Sequence, residues 1–322
     1  MFSELAKNSI DNIGIIEVLI NSHEELSIEK SDIRQKIKIF SVSSCVTRLY
    51  AIYEHFVETA ISDYLDGLSE CVTFMSLSNE FKSNYRLGIS QVLSKIDQER
   101  YTHLKHEDII KWYHDAIYGS NPYRFVTDAL TKHEENLRLN TIENLFSKIQ
   151  LKDLNKWLSN HPSIKSLYAG DISIYTQLEA EIRGFIQLRN DASHGTLESI
   201  EGKDNLKRFC ELVRALIIAI SSFLRKSLLL MLQDAGKVNE IGVVTETFES
   251  KAFIAVVNEG VNIYNGGKIY LLDNSNCYSQ IVKSLMICDT PVCRIKSKKD
   301  KLEIGLKCSE KVRKKTKLYM FL

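Results

Sequence analysis

Near Gly236 the spacing of apolar residues changes from the period of a helix to that of a strand, so one uniform architecture cannot serve the whole chain. Upstream, Val46, Leu49, Tyr50, Tyr53, Val57, Ile61 and Leu65 recur at three and four within a predicted helix over Ser31–Leu68. Weaker helical patterns cover Ser83–Arg100, Lys105–Tyr118 and Thr141–Ile149, with turns required at Pro122 and Pro162. A strong helix is predicted from about Ile172 to His194, stopped by Gly195. Another runs from about Asp204, a candidate N-cap, to Gln233, and Asp234-Ala235-Gly236 ends it. Downstream the residues alternate and become β-branched: IGVVTETF, FIAVV, KIYLL, QIVKSLMI, VCRI and KLYMF, with turn residues between. The expected fold class is α+β multidomain. A helical domain, 1–236, is followed by a small all-β barrel, 237–322.

Three prolines in 322 residues favour long helices, and the apolar and charged fractions are those of a globular protein. The most apolar run, ALIIAISSFL at 215–224, lies between Arg214 and Arg225-Lys226. It is half the roughly 20 residues that a membrane span needs, so a buried helix is expected and no membrane partner. Seven cysteines, an odd number without short-loop spacing, and the lack of a secretory signal point to a reducing, cytoplasmic setting. Cys277, Cys288, Cys293 and Cys308 lack the close pairs of a zinc site and read as small strand residues, so no metal or other cofactor is expected. Net charge is +1, yet 11 basic and 3 acidic residues fall between Arg294 and Lys317. Arg294, Lys296, Lys298, Lys299, Lys311, Arg313, Lys314 and Lys315 are therefore candidates for nucleic-acid contact, with a solvated lysine-rich face as the plainer explanation.

On the 172–194 helix, Leu178, Ile182 and Phe185 form the apolar stripe, and the next position of that stripe is Arg189. A guanidinium aimed where core residues point costs several kcal/mol unless it meets a partner or a wet cleft. Glu54 or another helical acid is the candidate salt-bridge partner; an open cleft is the other solution. Asn190 and Asp191 follow, then His194 and Gly195. On an unbroken helix Arg189 and His194 lie about 140° apart, so the last turn is expected to loosen if both serve one site. A cation, an amide and an imidazole are suited to phosphodiester cleavage, and a histidine exchanging protons during turnover makes activity depend on pH near about 6–8. The other histidines considered, His103, His106 and His114, have no carboxylates arranged to complete a site and read as surface residues.

Arg189-Asn190-Asp191-Ala192-Ser193-His194 resembles the motif of HEPN nucleases: arginine, four residues, histidine, with a polar residue after the arginine. RLYAIYEHFVETAISDYL (Arg48–Leu65) is similar to the leading, tyrosine-rich helix of the RiboL-PSP-HEPN branch, the acid standing here at Glu54. The resemblance covers about 30–235, with 70–170 outside a minimal HEPN bundle and expected as an inserted helical region. It implies a metal-independent endoribonuclease in which a ribose 2′-hydroxyl attacks the adjacent phosphorus. Arg189 would hold the phosphate, His194 would move protons, Asn190 would orient, and Glu54 and Asp191 would support. It also implies a homodimer with a composite site, an RNA substrate such as tRNA or rRNA, a role in toxicity or anti-phage defence, and a neutralising or regulatory protein. The alternative implied is a catalytically inactive RNA- or ribosome-binding protein that uses the helical unit for dimerisation.

The segment 238–321, from IGVVT to EIGLKCSEKVRKKTKLY, is similar to the second domain of elongation factor Tu. The GTPase domain that precedes that barrel in translation factors is not readable here. Gly266-Gly267-Lys268 is followed by Ile269 and lacks the first P-loop glycine, so it reads as a hairpin turn and not as a nucleotide site.

Overall fold

The computed structural model describes residues 2–22, 31–119, 123–133, 135–169, 173–194, 202–298 and 301–321. Two compact units divide at Leu224/Arg225, inside the last helix and twelve residues before the expected boundary at Gly236. The turn expected at Pro122, the stop at Gly195 and the candidate Lys299 lie outside the described residues.

The first unit is helical. Its elements are α1 (Ser3–Ser22), α2 (Ser31–Cys71), α3 (Asn79–Ser94), α4 (His106–Tyr118), α5 (Asp128–Thr131), α6 (Leu139–Lys148), α7 (Leu154–Asn160), α8 (Pro162–Lys165), α9 (Ile174–His194) and α10 (Lys203–Asp234). The stripe predicted on α2 is its buried face, and Leu178, Ile182, Phe185 and Ile186 of α9 are buried as well. Where the two helices meet, the rings of Tyr50 and Phe185 lie 6.1 Å apart. By composition α10 is apolar enough to cross a membrane, but its side chains from Leu212 to Leu224 are mostly core, and Trp157 Nε1 on α7 donates to the Ala219 carbonyl at 3.0 Å. Asp204 does not cap this helix; it sits in the first turn, where a carboxylate still meets the positive helix end. At the other end Gly236 takes a left-handed φ of 69°, and Lys237 N–H returns to the Leu232 carbonyl at 2.8 Å, which closes the helix as the sequence predicts.

Within 70–170 the aromatic residues form a cluster of their own. Phe74, Phe81, Tyr85 and Tyr123 surround Phe125 or one another at ring separations of 5.2 to 5.7 Å. The Tyr85 hydroxyl accepts from Val126 N–H at 2.9 Å. This positions α5, and α3 approaches α5 so closely that a Cβ at Gly88 would fall 1.9 Å from the Ala129 carbonyl oxygen.

The second unit is antiparallel β: β1 (Val238–Thr247), β2 (Ala252–Val257), β3 (Asn262–Tyr264), β4 (Lys268–Leu272), β5 (Cys277–Ile281), β6 (Ser284–Ile287), β7 (Thr290–Val292), β8 (Arg294–Lys296), β9 (Leu302–Lys307) and β10 (Lys317–Phe321). Eight strands form one sheet in the order β5-β4-β10-β1-β2-β9-β6-β7, and β3 pairs with β8. Both strand groups send their apolar residues into one core that includes Val244, Phe253, Ile263, Leu271, Leu285, Ile295, Ile304 and Leu318, so the sheet is rolled around it. β1 carries two bulges and bends there; at Gly242 a Cβ would meet the Val256 carbonyl at 2.3 Å. Gly266 and Gly267 form a tight turn between β3 and β4, with Gly267 N–H bonded to the Tyr264 carbonyl at 2.9 Å, but it is not the expected hairpin, because β3 pairs with β8 while β4 pairs with β5 and β10.

Gly88→Ala is expected to lower stability by about 1–3 kcal/mol, the usual cost of overpacking. Thermal unfolding should show a reduced midpoint, and an unchanged one would contradict the close α3–α5 packing.

Candidate active site

Arg189 continues the buried stripe of α9 by one turn beyond Phe185, and it is only half-buried. Its guanidinium stacks on the ring of Tyr50, with Cζ 4.6 Å from the ring centroid. Nη1 donates to Asn190 Oδ1 at 3.2 Å, while Nε is buried without a hydrogen-bond partner. Among the described residues Arg189 makes no ion pair, so the Glu54 salt bridge is not the solution adopted. The side chain instead borders a cleft of about 950 Å³.

The cleft is lined by Glu54 and Glu58 from α2, by His133, Glu135, Asn136 and Arg138 from the segment between α5 and α6, by Arg189, Asn190 and His194 from α9, and by Arg100. The middle segment is held by α2. Leu137 N–H donates to the Tyr50 hydroxyl at 3.0 Å, and the Tyr53 hydroxyl donates to the Leu137 carbonyl at 3.3 Å. Tyr50 in turn donates to Glu54 Oε1 at 3.4 Å, and burial pushes its phenol up to about 12. Asn136 Nδ2 reaches Asn190 Oδ1 at 3.4 Å, so the amide next to Arg189 is oriented from both sides.

A second ionic group shares the cleft. His133 Nε2 lies 3.4 Å from Glu58 Oε1, within ion-pair range though not aligned as a hydrogen bond, and Nδ1 lies 2.8 Å from the Glu135 carbonyl. Arg100 Nη2 meets the same Glu58 oxygen at 3.3 Å. Contact with Glu58 raises the His133 imidazole above its ordinary value, against the effect of burial. His133, with Arg100 adding, holds the Glu58 carboxyl below its own.

The helix does not loosen at its end: α9 is continuous through His194. Loosening is unnecessary, because Asn190 and His194 share a face at i and i+4, and the long Arg189 side chain reaches the same cleft. Glu54 also borders it. Asp191 does not, and accepts a hydrogen bond from Gln187 Nε2 at 2.9 Å. His103 pairs with Asp128 at 3.2 Å and His114 stacks on Tyr118, both outside the cleft. In the β unit, Arg294, Lys296, Lys298, Lys311, Arg313, Lys314 and Lys315 are all exposed, on β8 and its end and in the loop before β10. Arg294 is bonded to Asn262 at 2.7 Å, Lys311 lies 4.0 Å from Glu249, and Arg313 lies 3.8 Å from Asp273. Among the described residues no group of three or more His, Cys, Asp or Glu could hold a metal ion.

Glu58, Arg100, His133 and Asn136 were not singled out by sequence reasoning. Two signals were available. Tyr50, Glu54 and Glu58 form a polar stripe at intervals of four beside the core stripe, and His133–Asn136 is a polar run ahead of the buried Leu137.

Residues 1–229 match the family model for HEPN_MAE_28990-like HEPN domains. The chain belongs to this HEPN family. The match spans 70–170 and ends short of the β unit, whose likeness to elongation factor Tu it leaves untouched. No curated protein matches. Among solved structures, the C-terminal domain of a candidate U32 peptidase from Geobacillus thermoleovorans, as its selenomethionine variant, is similar at 8% identity and TM-score 0.23, over 26% of this chain and 99% of that one. The S-layer protein rSbsC(31-844) is similar at 11% identity and TM-score 0.16, over 97% of this chain and 42% of its own.

In the HEPN unit the Glu58–His133 pair makes stability depend on pH in a defined window. The raised imidazole stabilises the fold fully below its ordinary value of 6.5, and this contribution is lost as pH rises through the folded value. The lowered carboxyl contributes above its ordinary value of 4.5, and this is lost as pH falls through the folded value. The unfolding midpoint of His133→Gln should therefore fall furthest below wild type between about pH 4.5 and 6.5, and the difference should shrink in alkali. A difference independent of pH would show that the pair is not ionic.

Proposed function

We propose that this HEPN protein is a metal-independent endoribonuclease whose reactive centre is the Arg189 cleft. The observation that carries the reading is a guanidinium stacked on Tyr50, in no ion pair with a carboxylate among the described residues, and bordering an open cleft that also receives Asn190 and His194. An arginine already neutralised by an acid would have little to offer a phosphate; one with an unpaired Nε and no counter-ion does.

In this reading the proton of a ribose 2′-hydroxyl passes to a base as the oxygen attacks the adjacent phosphorus. The bond from phosphorus to the 5′-oxygen breaks, and that oxygen takes a proton as it leaves. The products are a 2′,3′-cyclic phosphate and a 5′-hydroxyl. Arg189 binds the non-bridging oxygens and stabilises their growing charge, His194 exchanges the proton, and Asn190, oriented by Asn136, holds phosphate or imidazole in place. Glu54 keeps Tyr50 under Arg189. A homodimer would bring two such clefts into one composite site, and the exposed lysines and arginines of the β unit would add salt-sensitive affinity for tRNA or rRNA. Action as a toxin or defence effector, restrained by a partner protein, completes the reading.

Purified protein incubated with total RNA should give fragments ending in a cyclic phosphate, with EDTA present or absent. His194→Ala should lower the rate on the order of 10²- to 10⁴-fold, the span of acid–base contributions. Arg189→Lys should lower it as well, because an ammonium lacks the planar fork. Equal growth of cells expressing wild type and His194→Ala, with equal RNA integrity, would sink the nuclease assignment and leave an inactive RNA-binding module.

A further inference from the structure

In the ribbon formed by β3 and β8, Asn262 stands opposite Lys296, Ile263 opposite Ile295 and Tyr264 opposite Arg294. Ile263 and Ile295 enter the core of the β unit, so strand alternation turns Asn262, Tyr264, Arg294 and Lys296 together to the other face. Arg294 and Lys296 are exposed, and Tyr264 is 47% exposed.

Two of these groups are held in place. The Tyr264 ring lies beside Gly267, where an added Cβ would stand 3.5 Å from two ring carbons, so the glycine of the turn leaves the ring its position. Arg294 Nε donates to Asn262 Oδ1 at 2.7 Å, which directs the guanidinium along the ribbon and leaves its outer nitrogens for another acceptor. The plain explanation is a tyrosine suited to a strand beside a solvated basic surface. It does not account for the pairing. Exposed cations on facing strands are stabilised by acids opposite them, yet here the opposite residues are an aromatic ring and an amide. Among the described residues Arg294, Lys296 and Lys298 form no ion pair. The loop carrying Glu259 meets the chain after β8, where Gly260 N–H donates to the Ser297 carbonyl at 3.0 Å, and it brings no carboxylate within that range of them. Across 294–301 the sequence holds five basic residues against the single acid Asp300.

An exposed ring with cations beside it is the combination that holds single-stranded nucleic acid, the ring stacking on a base and the cations following the backbone. Arg294 and Lys296 are two strand residues apart, about 6.5–7 Å, a step close to that between successive phosphates of an extended strand. We propose that the outer face of the β3–β8 ribbon is a platform for single-stranded RNA, on which one base stacks on Tyr264 and the adjoining phosphates lie along Arg294 and Lys296. The choice of RNA rests on the ribonuclease reading; the stacking and the charge do not.

The test uses full-length His194→Ala protein, so that binding is read without turnover. Affinity for a single-stranded RNA oligonucleotide, and for a duplex of the same sequence, is measured by fluorescence anisotropy over a salt series. Tyr264→Ala added to that background should weaken single-strand binding on the order of 5- to 100-fold, the span of one lost base–aromatic stack, and leave the salt dependence as it was. Tyr264→Phe should bind as the parent does, because the ring remains. Lys296→Gln should flatten the dependence of log K on log salt by about 0.7, the slope carried by one phosphate neutralised on a single strand. Duplex binding should be indifferent to Tyr264→Ala, since its bases are stacked within the helix. Unchanged single-strand affinity in both Tyr264→Ala and Lys296→Gln, with unfolding midpoints preserved, overturns the platform even where wild type cuts RNA. Equal weakening of duplex and single strand by Tyr264→Ala overturns the stacked base. Tyr264-dependent binding by a wild type that cuts nothing supports the platform and removes the nuclease reading. Failure to bind RNA at all sinks both.

Discussion

Leu137 is held by both of its backbone polar groups, the N–H by Tyr50 and the carbonyl by Tyr53. Each hydroxyl is buried or nearly so, and leaving such a group unpaired costs about 1–3 kcal/mol, so the two bonds support one another. They bring a segment more than 80 residues distant in sequence onto α2. His133, Glu135, Asn136 and Arg138 reach the cleft because that segment is held there. The same Tyr50 ring is the platform for Arg189, so one side chain joins the scaffold to the half-buried guanidinium.

Charge in the cleft is divided unevenly. Glu58 is engaged twice, by His133 and by Arg100, which fixes one wall. Glu54 is occupied by the Tyr50 hydroxyl. Among the described residues Arg189 meets an aromatic face and one amide, an arrangement that holds the guanidinium in position without neutralising it. Aromatic stacking is worth about 0.5–2 kcal/mol and restrains direction, whereas a carboxylate would have competed with any incoming anion.

The β unit stands apart in sequence match and in construction. Its strands pair antiparallel around one core, and its basic residues lie on β8 and in the loop before β10, several of them already near acids. Surface pairs of this kind are weak, around 0–1 kcal/mol, so they leave those cations available to a stronger anion.

Much of the fold was legible because it depends on local period. The stripe on α2, the inward aim of Arg189, the stop at Gly236 and the change to strands all follow from which residues share a face or tolerate a positive φ. The candidate site was legible only along α9 and in part of α2, where Arg189, Asn190, His194 and Glu54 could be ranked by neighbours a few residues away. Asp191, expected in a supporting role, lies off the cleft, because one step along a helix turns a side chain by about 100°. Arg100, His133 and Asn136 come together only through packing. Nothing local to them specifies that α3 meets α5 at Gly88, or that two tyrosines of α2 take hold of Leu137. Periodicity encodes which way each side chain points from its own element; which distant groups it then faces is decided by how the buried surfaces fit.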